Sequence, residues 1–376
     1  MSARILICRS NPVAPDPRVE KIARSLSCAG YQVSILGWDR SGELPASSQQ
    51  DGITLLRLPI VAEFGSGLAN LPNLLRWQLG LMRWLVRRRK EYDIIHACDF
   101  DTILPALASQ ALFAKKVVYD IFDFYADHLR ATPELFKKAI RFIDLKAIGR
   151  ANAVILVDES RREQIRGAKP HYSTVIYNSP EEQDIPEVGR SSETGCSLRL
   201  AYVGLLQVER GLFEMMALLE RHPEWCLDLA GFGGDEARIR AQAERMPNVH
   251  WHGRVPYHRA LELSQAADVL FATYDPAIPN HRFSSPNKIF EAMLLGKPVL
   301  VAKDTNMDRI VQQAECGLIV EYGDEGVLES ALTQLAQDDT LRKRLGDNAR
   351  QAYETSYSWQ AMQARLEELY RHVSEI

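Results

Sequence analysis

The chain has 376 residues, 46% hydrophobic and 25% charged, enough for two ordinary domains with buried cores, so disorder as the dominant state is excluded. The 45 Lys and Arg against 49 Asp and Glu give a formal net charge of −4, unevenly placed: residues 1–190 hold 26 basic against 22 acidic side chains, and the remainder is acidic. Neither half is charged strongly enough to argue for nucleic acid, and none is expected as a partner.

Six cysteines (Cys8, Cys28, Cys98, Cys196, Cys226, Cys316) form no C-x-x-C pair and no zinc-ligand spacing, so neither a disulfide framework nor a structural metal is expected, and a reducing cytosol fits. No run reaches about 18 apolar residues, and the N-terminus enters a strand-like run, Arg4 to Cys8, without a signal pattern. The expectation is a cytoplasmic protein, neither exported nor membrane-spanning.

In chain order, the strand Ile5-Leu6-Ile7 is followed by a helix with Val19, Ile22, Ala23 and Leu26 on one face, then by the strand Val33 to Leu36. Strands are predicted again at Ile53–Leu58, Ile94–His96, Lys116–Tyr119, Val154–Val157 and Thr174–Tyr177, with helical stretches between most of them. Residues 180–197 mix Pro, Gly, Ser and acidic side chains without an apolar period, which places a linker over 183–197 between an N-terminal domain, 1–182, and a second domain, 198–358. Alternation resumes at Leu198–Val203, Leu227–Ala230, Val249–His252, Val269–Ala272, Pro298–Ala302 and Gly317–Val320. The expected fold is α/β, with two doubly wound Rossmann-like domains whose parallel sheets are covered on both faces. The final helix, within 359–376, fits either domain, packing back on the first being one option. Ligands of such sheets sit beyond the carboxyl ends of the strands, so the expected site is a cleft between domains.

The segment Ser284-Ser285-Pro286-Asn287-Lys288-Ile289-Phe290-Glu291, running on to Gly296-Lys297-Pro298-Val299, has a helix with a serine N-cap, proline at the first helical position and a glycine stop. Free N–H groups at such a start suit a diphosphate, and Glu291, near two turns on, suits a ribose; the plain alternative is a well-capped helix with a solvated glutamate. Leu229-Ala230-Gly231-Phe232-Gly233-Gly234-Asp235 puts a glycine-rich turn between strand and helix, letting backbone approach a ligand.

The first of these segments resembles the donor-binding motif of family-4 glycosyltransferases, retaining enzymes of the GT-B class, and the resemblance runs over nearly the whole chain. It implies two domains facing across a cleft, a nucleotide-diphosphate sugar as co-substrate with no further cofactor and no metal, and a glycan or lipid-linked acceptor of the kind used in bacterial surface polysaccharide assembly. Glu291 matches the second glutamate of the family motif, while the first falls on Phe283. Tyr202-Val203-Gly204 followed by Glu209-Arg210-Gly211 looks like the opening of the family's second domain, which makes Arg210 the cation for the leaving diphosphate, alone because Leu205 stands where a partner arginine is usual; the alternative is a surface arginine. Arg210 and Glu291 are thus the expected catalytic pair, with Gly204, Gly231, Gly233, Ser284, Ser285, Pro286, Asn287 and Lys288 around the donor. His252-Gly253-Arg254-Val255 and Ala266 to Val269 fall at the family's distances, so Arg254 and Val255 are expected beside the base. In the first half, Asp16 to Glu20 resembles the loop facing the acceptor, with Arg18 as a cleft cation or a helix-surface residue. Asp123 follows Phe122, which stands where the family often has a sugar-contacting histidine.

Two further segments carry open readings. Asp99-Phe100-Asp101-Thr102 imitates the Asp-x-Asp metal site of GT-A enzymes and the aspartyl nucleophile of haloacid-dehalogenase-type phosphatases, but capping of the next helix is the simpler role. Leu74 to Lys90, with two tryptophans and a basic end, either lies on an anionic membrane, with Lys137, Lys138, Arg141 and Lys146 extending the basic face, or packs on the core with a solvated end. A membrane contact there would place the protein at the inner face of the plasma membrane. Two rivals share the architecture: a nucleotide-sugar 2-epimerase and a non-catalytic nucleotide-sugar binder.

Overall fold

The computed structural model describes residues 3–62, 71–128, 132–182 and 195–376, so most of the expected linker, 183–194, lies outside the described residues. The chain divides into two compact units, Met1–Tyr177 with Met362–Ile376, and Asn178–Ala361.

The first unit holds β1 (Arg4–Arg9), β2 (Gln32–Asp39), β3 (Ser47–Gln50), β4 (Ile53–Pro59), β5 (Ile94–Cys98), β6 (Lys116–Ile121), β7 (Ala153–Leu156) and β8 (Ser173–Val175), in the order β3-β4-β2-β1-β5-β6-β7-β8. All neighbours pair in parallel except β3 with β4, so the expected all-parallel sheet is corrected to a mixed one with an antiparallel edge. Strand β1 is central and reads as a continuous apolar run because helices cover both faces: Ile5, Leu6, Ile7 and Cys8 are buried. Its following helix, Pro17–Cys28, starts where Asp16 accepts from Val19 N–H at 3.3 Å and Glu20 reaches back to Asp16 N–H at 2.7 Å, with Pro17 in the first turn.

The last helix, Trp359–Glu375, sends Met362, Leu366, Leu369, Tyr370 and Val373 into the core of the first unit. Tyr370 Oη lies 2.7 Å from His96 Nδ1 on β5, and Tyr177 N–H donates to Met362 Sδ.

The second unit holds β9 (Leu198–Leu205), β10 (Trp225–Phe232), β11 (Val249–Gly253), β12 (Val269–Ala272), β13 (Val299–Ala302) and β14 (Gly317–Val320) in the order β11-β10-β9-β12-β13-β14, all parallel. One core runs under it, from Leu198, Leu200 and Tyr202 through Met215, Met216, Leu227 and Phe271 to Leu332 and Leu345.

The cysteine expectation is corrected here. Cys196 and Cys226 form a disulfide with Cα atoms 5.7 Å apart, because they precede or open the adjacent parallel strands β9 and β10, a proximity that 30 residues of sequence separation conceal. Cys8, Cys98 and Cys316 are free and buried, and Cys28 is free and exposed.

Candidate functional site

In the second unit the strand order reverses between β9 and β12, so the crevice beyond their carboxyl ends is the topological switch point where open α/β sheets take ligands. The chain closes this place tightly. A Cβ on Gly231 would stand 1.9 Å from the Gly204 carbonyl oxygen, and one on Gly233 would stand 2.6 Å from the Leu206 oxygen, so the carboxyl ends of β9 and β10 and the turns that follow them approach closer than any side chain permits. Those loops are also stitched together: Leu206 N–H donates to Phe232 O, Asp235 N–H to Leu206 O, and Val208 N–H to Asp235 Oδ2 at 3.0 Å.

The stitched loop ends in a 3₁₀ turn, Val208–Arg210, followed by Gly211 at φ 70°, where an added Cβ would meet Thr273 Oγ1 at 2.3 Å. This fixes Arg210. Its guanidinium lies 3.9 Å from the ring centre of Tyr274, just past β12, and reaches Gln207 Oε1 at 3.4 Å. Lys288 approaches from the other side, with Nζ 3.3 Å from the ring centre of Tyr202, 5.7 Å from that of Tyr274, and 3.4 Å from where Gly204 would carry a Cβ. The Lys288 amine has no hydrogen-bond partner among the described residues. Burial depresses its pKa well below the usual lysine range and Arg210 depresses it further, against an opposing pull from Glu291. A guanidinium and a buried amine thus converge on two phenol faces with a carboxylate in reach of their field. The arrangement is a buried cluster of basic groups that an anion would complete.

The helix Asn287–Leu294 carries Lys288 and Glu291 on successive turns. The serine N-cap expected here is corrected: Pro286 takes the cap position at φ −74° and ψ 145°, Asn287 begins the helix, and no side chain caps it. The residue before a proline is driven out of the helical region, which pushes Ser285 one step too far back to cap. Ser285 Oγ is instead buried without a hydrogen-bond partner among the described residues, while Ser284 O accepts from Asn306 and Ser285 O from Asn178. The glycine stop forms as expected, with Gly296 at φ 62° and Lys297 N–H reaching back to Ala292 O at 2.9 Å. Arg254 is exposed and lies 4.6 Å from the ring of Phe232, itself 45% exposed, and Val255 is half-buried beside it. The sequence motifs do not mark Tyr202 and Tyr274 as the floor beneath Arg210 and Lys288. The available signal was their position at or just past the ends of the two strands flanking the reversal.

In the first unit the order reverses between β1 and β5. Arg9, at the end of β1, bonds both Asp16 and Asp99, and Asp99 also accepts from Phe122 N–H at 2.8 Å and Asp123 N–H at 3.3 Å. Asp99 occupies the N-cap position of the helix Phe100–Phe113 at φ 61° but makes no cap bond, and Asp101 takes the Ser10 hydroxyl at 2.9 Å; the capping role expected of both is corrected, because the Arg9 cation and the loop after β6 claim Asp99 and Ser10 engages Asp101. Burial pushes Asp99 up to about 6 against the pull of Arg9. Asp123 is exposed and pairs with Arg161 at 3.1 Å, a buried arginine that the sequence offered no motif to find.

Arg18 is neither a cleft cation nor a surface residue. It is buried, pairs with Asp120 at 2.9 Å and donates to Ile176 O at 2.8 Å, since Asp120, fully buried on β6, requires a counter-charge. Burial alone would raise Asp120, but Arg18 and His96 hold it below its ordinary value. Arg9 and Arg18 both lie over the Phe122 ring, at 4.2 Å and 4.9 Å. The helix Leu71–Arg87 turns Trp77 inward, fully buried and stacked on Trp38 at 5.1 Å, so this one of its two tryptophans follows the core-packed alternative.

Comparison with known proteins matches residues 14–179 to the glycosyl transferase 4-like domain and residues 198–352 to the glycosyl transferases group 1. A D-inositol 3-phosphate glycosyltransferase from Corynebacterium jeikeium is 28% identical over 46% of this chain and 43% of its own length, and a capsular polysaccharide biosynthesis glycosyltransferase, CapM, from Staphylococcus aureus is 34% identical over 24% of each chain. The matched stretch spans less than half the length of these curated relatives. Two solved structures share the fold: sucrose-phosphate synthase from Thermosynechococcus elongatus, with TM-score 0.80 and 16% identity over 99% of both chains, and Anabaena Alr3699/HepE with UDP and glucose, with TM-score 0.71 and 16% identity over 98% of this chain and 99% of that one.

Proposed function

We propose, from the premise that this chain belongs to the family-4 glycosyltransferases with the GT-B fold, that it moves a sugar from a nucleotide-diphosphate sugar to a glycan or lipid-linked acceptor in surface polysaccharide synthesis. The observation that carries the reading is the convergence of Arg210 and Lys288 over Tyr202 and Tyr274 at the β9/β12 switch point. A diphosphate placed there gives the Lys288 amine its missing partner and spreads its charge over both cations, which is where negative charge builds as the glycosyl bond breaks. Glu291 takes the ribose hydroxyls, Arg254 and Val255 border the base, and the backbone N–H groups from Asn287 onward add to the anion site.

Retention is proposed with the departing phosphate drawing the proton from the incoming hydroxyl, so no protein nucleophile is assigned. Arg210 and Lys288 supply the positive charge that a metal would otherwise bring, so turnover is expected to be metal-independent. The first unit's switch point, with Arg9, Asp99 and Asp123, is proposed for the acceptor side. The exposed arginines Arg76, Arg83 and Arg87 on the outer face of helix Leu71–Arg87, with no ion-pair partner among the described residues, support contact with an anionic membrane, at its cytoplasmic face. No helix among the described residues is long and apolar enough to cross a membrane.

The test is release of nucleoside diphosphate from a panel of UDP-, GDP-, ADP- and dTDP-sugars, with and without a membrane lipid extract. UDP-glucose comes first because one structural neighbour is described in complex with it. Release with one donor that rises with the extract supports transfer. Epimerised donor without acceptor, or binding without release, would replace this proposal with the epimerase or the binding protein.

A further inference from the structure

The helix Glu134–Ile148 is amphipathic the wrong way round for a helix on a globular surface. Its buried side is made by Asp144, Ala147 and Ile148, with Asp144 accepting the Tyr119 hydroxyl at 2.7 Å and Arg141 donating to Gln164 O at 2.7 Å. Its solvent side carries Leu135, Phe136, Phe142 and Ile143, exposed by 78%, 54%, 63% and 41%, with exposed Ala139 between them. At 3.6 residues per turn these five positions fill an arc of about 120° opposite the buried side. An isolated exposed leucine needs no explanation, but an apolar arc two turns long calls for a partner.

The charges around the arc select that partner. Lys138 at its edge has no ion-pair partner among the described residues, and Lys146 stands within it with Nζ 5.5 Å from the Phe142 ring. The helix's two acidic groups lie off the arc: Asp144 is buried, and Glu134 is paired with Lys137 at 3.0 Å. Helix Phe100–Phe113 packs against both Glu134–Ile148 and Leu71–Arg87, and itself exposes Leu112 by 63%. Leu71–Arg87 adds an outward stripe of Leu71, Leu75 and Leu79 beside the exposed Arg76, Arg83 and Arg87, which have no ion-pair partner among the described residues. Exposed apolar teeth interleaved with exposed basic side chains, spread over three neighbouring helices, match the surface of a bilayer whose apolar interior lies beneath anionic headgroups. We infer that helix Glu134–Ile148 is a membrane-inserting element, its Leu135, Phe136, Phe142 and Ile143 entering the acyl region of an anionic leaflet while Lys138 and Lys146 engage headgroup phosphates. The inference rests on the membrane reading of 74–90 and moves its apolar anchor to a different helix.

The test is co-sedimentation of the full chain with vesicles of phosphatidylglycerol and phosphatidylcholine in equal parts, and with phosphatidylcholine alone. Three proteins are compared, the wild type, a Phe136→Glu/Phe142→Glu variant and an Arg76→Gln/Arg83→Gln/Arg87→Gln variant, each checked for unchanged melting. The wild type is expected to bind the anionic vesicles, and the phenylalanine variant to lose about tenfold or more of that affinity. Wild-type binding that the phenylalanine variant retains and the arginine variant loses would overturn this inference and leave the 74–90 reading standing. Absence of wild-type binding would overturn both. A wild-type dimer that the phenylalanine substitutions split, with vesicle binding unchanged, would assign the arc to a second copy of the chain and also overturn it.

Discussion

Lys288 is an amine kept from water, next to a guanidinium and above a phenol face, and that environment makes its protonation a reporter of what binds there. In the free protein its pKa is depressed; an anion in contact restores the charged form, so nucleoside diphosphate binding near and above the free pKa is expected to take up a proton. Calorimetry in two buffers of different ionisation enthalpy measures that uptake, and Lys288→Met is expected to abolish it while weakening binding. Arg210→Ala is expected to lower turnover by roughly two orders of magnitude, as for loss of a principal contact to developing charge. Turnover near the wild-type value would remove Arg210 from the mechanism.

Asp144 carries a pH dependence of its own. Burial pushes it up to about 7, the Tyr119 hydroxyl pulls it down, and Asp99 raises it again, against an ordinary value of 3.8. Because the folded state holds the proton more tightly, this contribution to stability is complete below 3.8 and is lost as pH rises through about 7. Asp144→Asn is expected to stabilise the protein at pH ~8 by on the order of 2 kcal/mol and to have little effect near pH ~4. Thermal melts at the two pH values check it, and an equal shift at both would exclude the titration.

At the scale of elements, the carboxyl ends of β9 and β10 are the most constrained part of the proposed donor site. Gly231→Ala forces a Cβ into the Gly204 carbonyl, backbone that cannot swing aside as a side chain would. The expected cost is about 2 kcal/mol or more, together with weakened nucleotide binding, since the same shift displaces Gly204 from Lys288. Unfolding midpoints and nucleotide titrations of the variant measure both. The hairpin β3–β4 shows the opposite balance: Ser47–Gln50 has no apolar period and escaped prediction, yet Asp51 and Gly52 at φ 52° and 77° form the tight turn that their sequence allows. Its signal lay in the turn dipeptide and not in the strand, which sits at the sheet edge and is mostly exposed.

At the scale of the whole molecule, the chain leaves the first unit at Tyr177, builds the second, and returns at Met362 to complete the first. All the side chains assigned here to the diphosphate and ribose belong to Asn178–Ala361. A fragment with those bounds is expected to fold and to bind nucleoside diphosphates without transferring sugar; a folded fragment that binds none would show that the donor site draws on the first unit. Removing residues 359–376 withdraws Leu366, Leu369, Tyr370 and Val373 from a buried core and leaves His96 without its Tyr370 bond, so the first unit is expected to lose its cooperative unfolding transition. Turnover of the intact chain is expected to survive chelation by EDTA, and its loss would replace the two-cation account with a metal.

The sequence by itself determined the alternation of apolar runs and helices, and with it two α/β units, because period and burial are local properties written into each segment. It also marked Arg210 and Glu291, through the resemblance of their segments to the family motifs, and Lys288, through the helix start that carries it. Tertiary structure decided what depends on partners far apart in sequence. Arg18 reads as an accessible cation until Asp120, 102 residues away, is buried against it. Asp99 reads as a cap until Arg9 and the loop after β6 claim its oxygens, and Cys196 and Cys226 read as unrelated until adjacent strands bring them together. Charge and thiol chemistry are settled by neighbours, and neighbours are supplied by the fold.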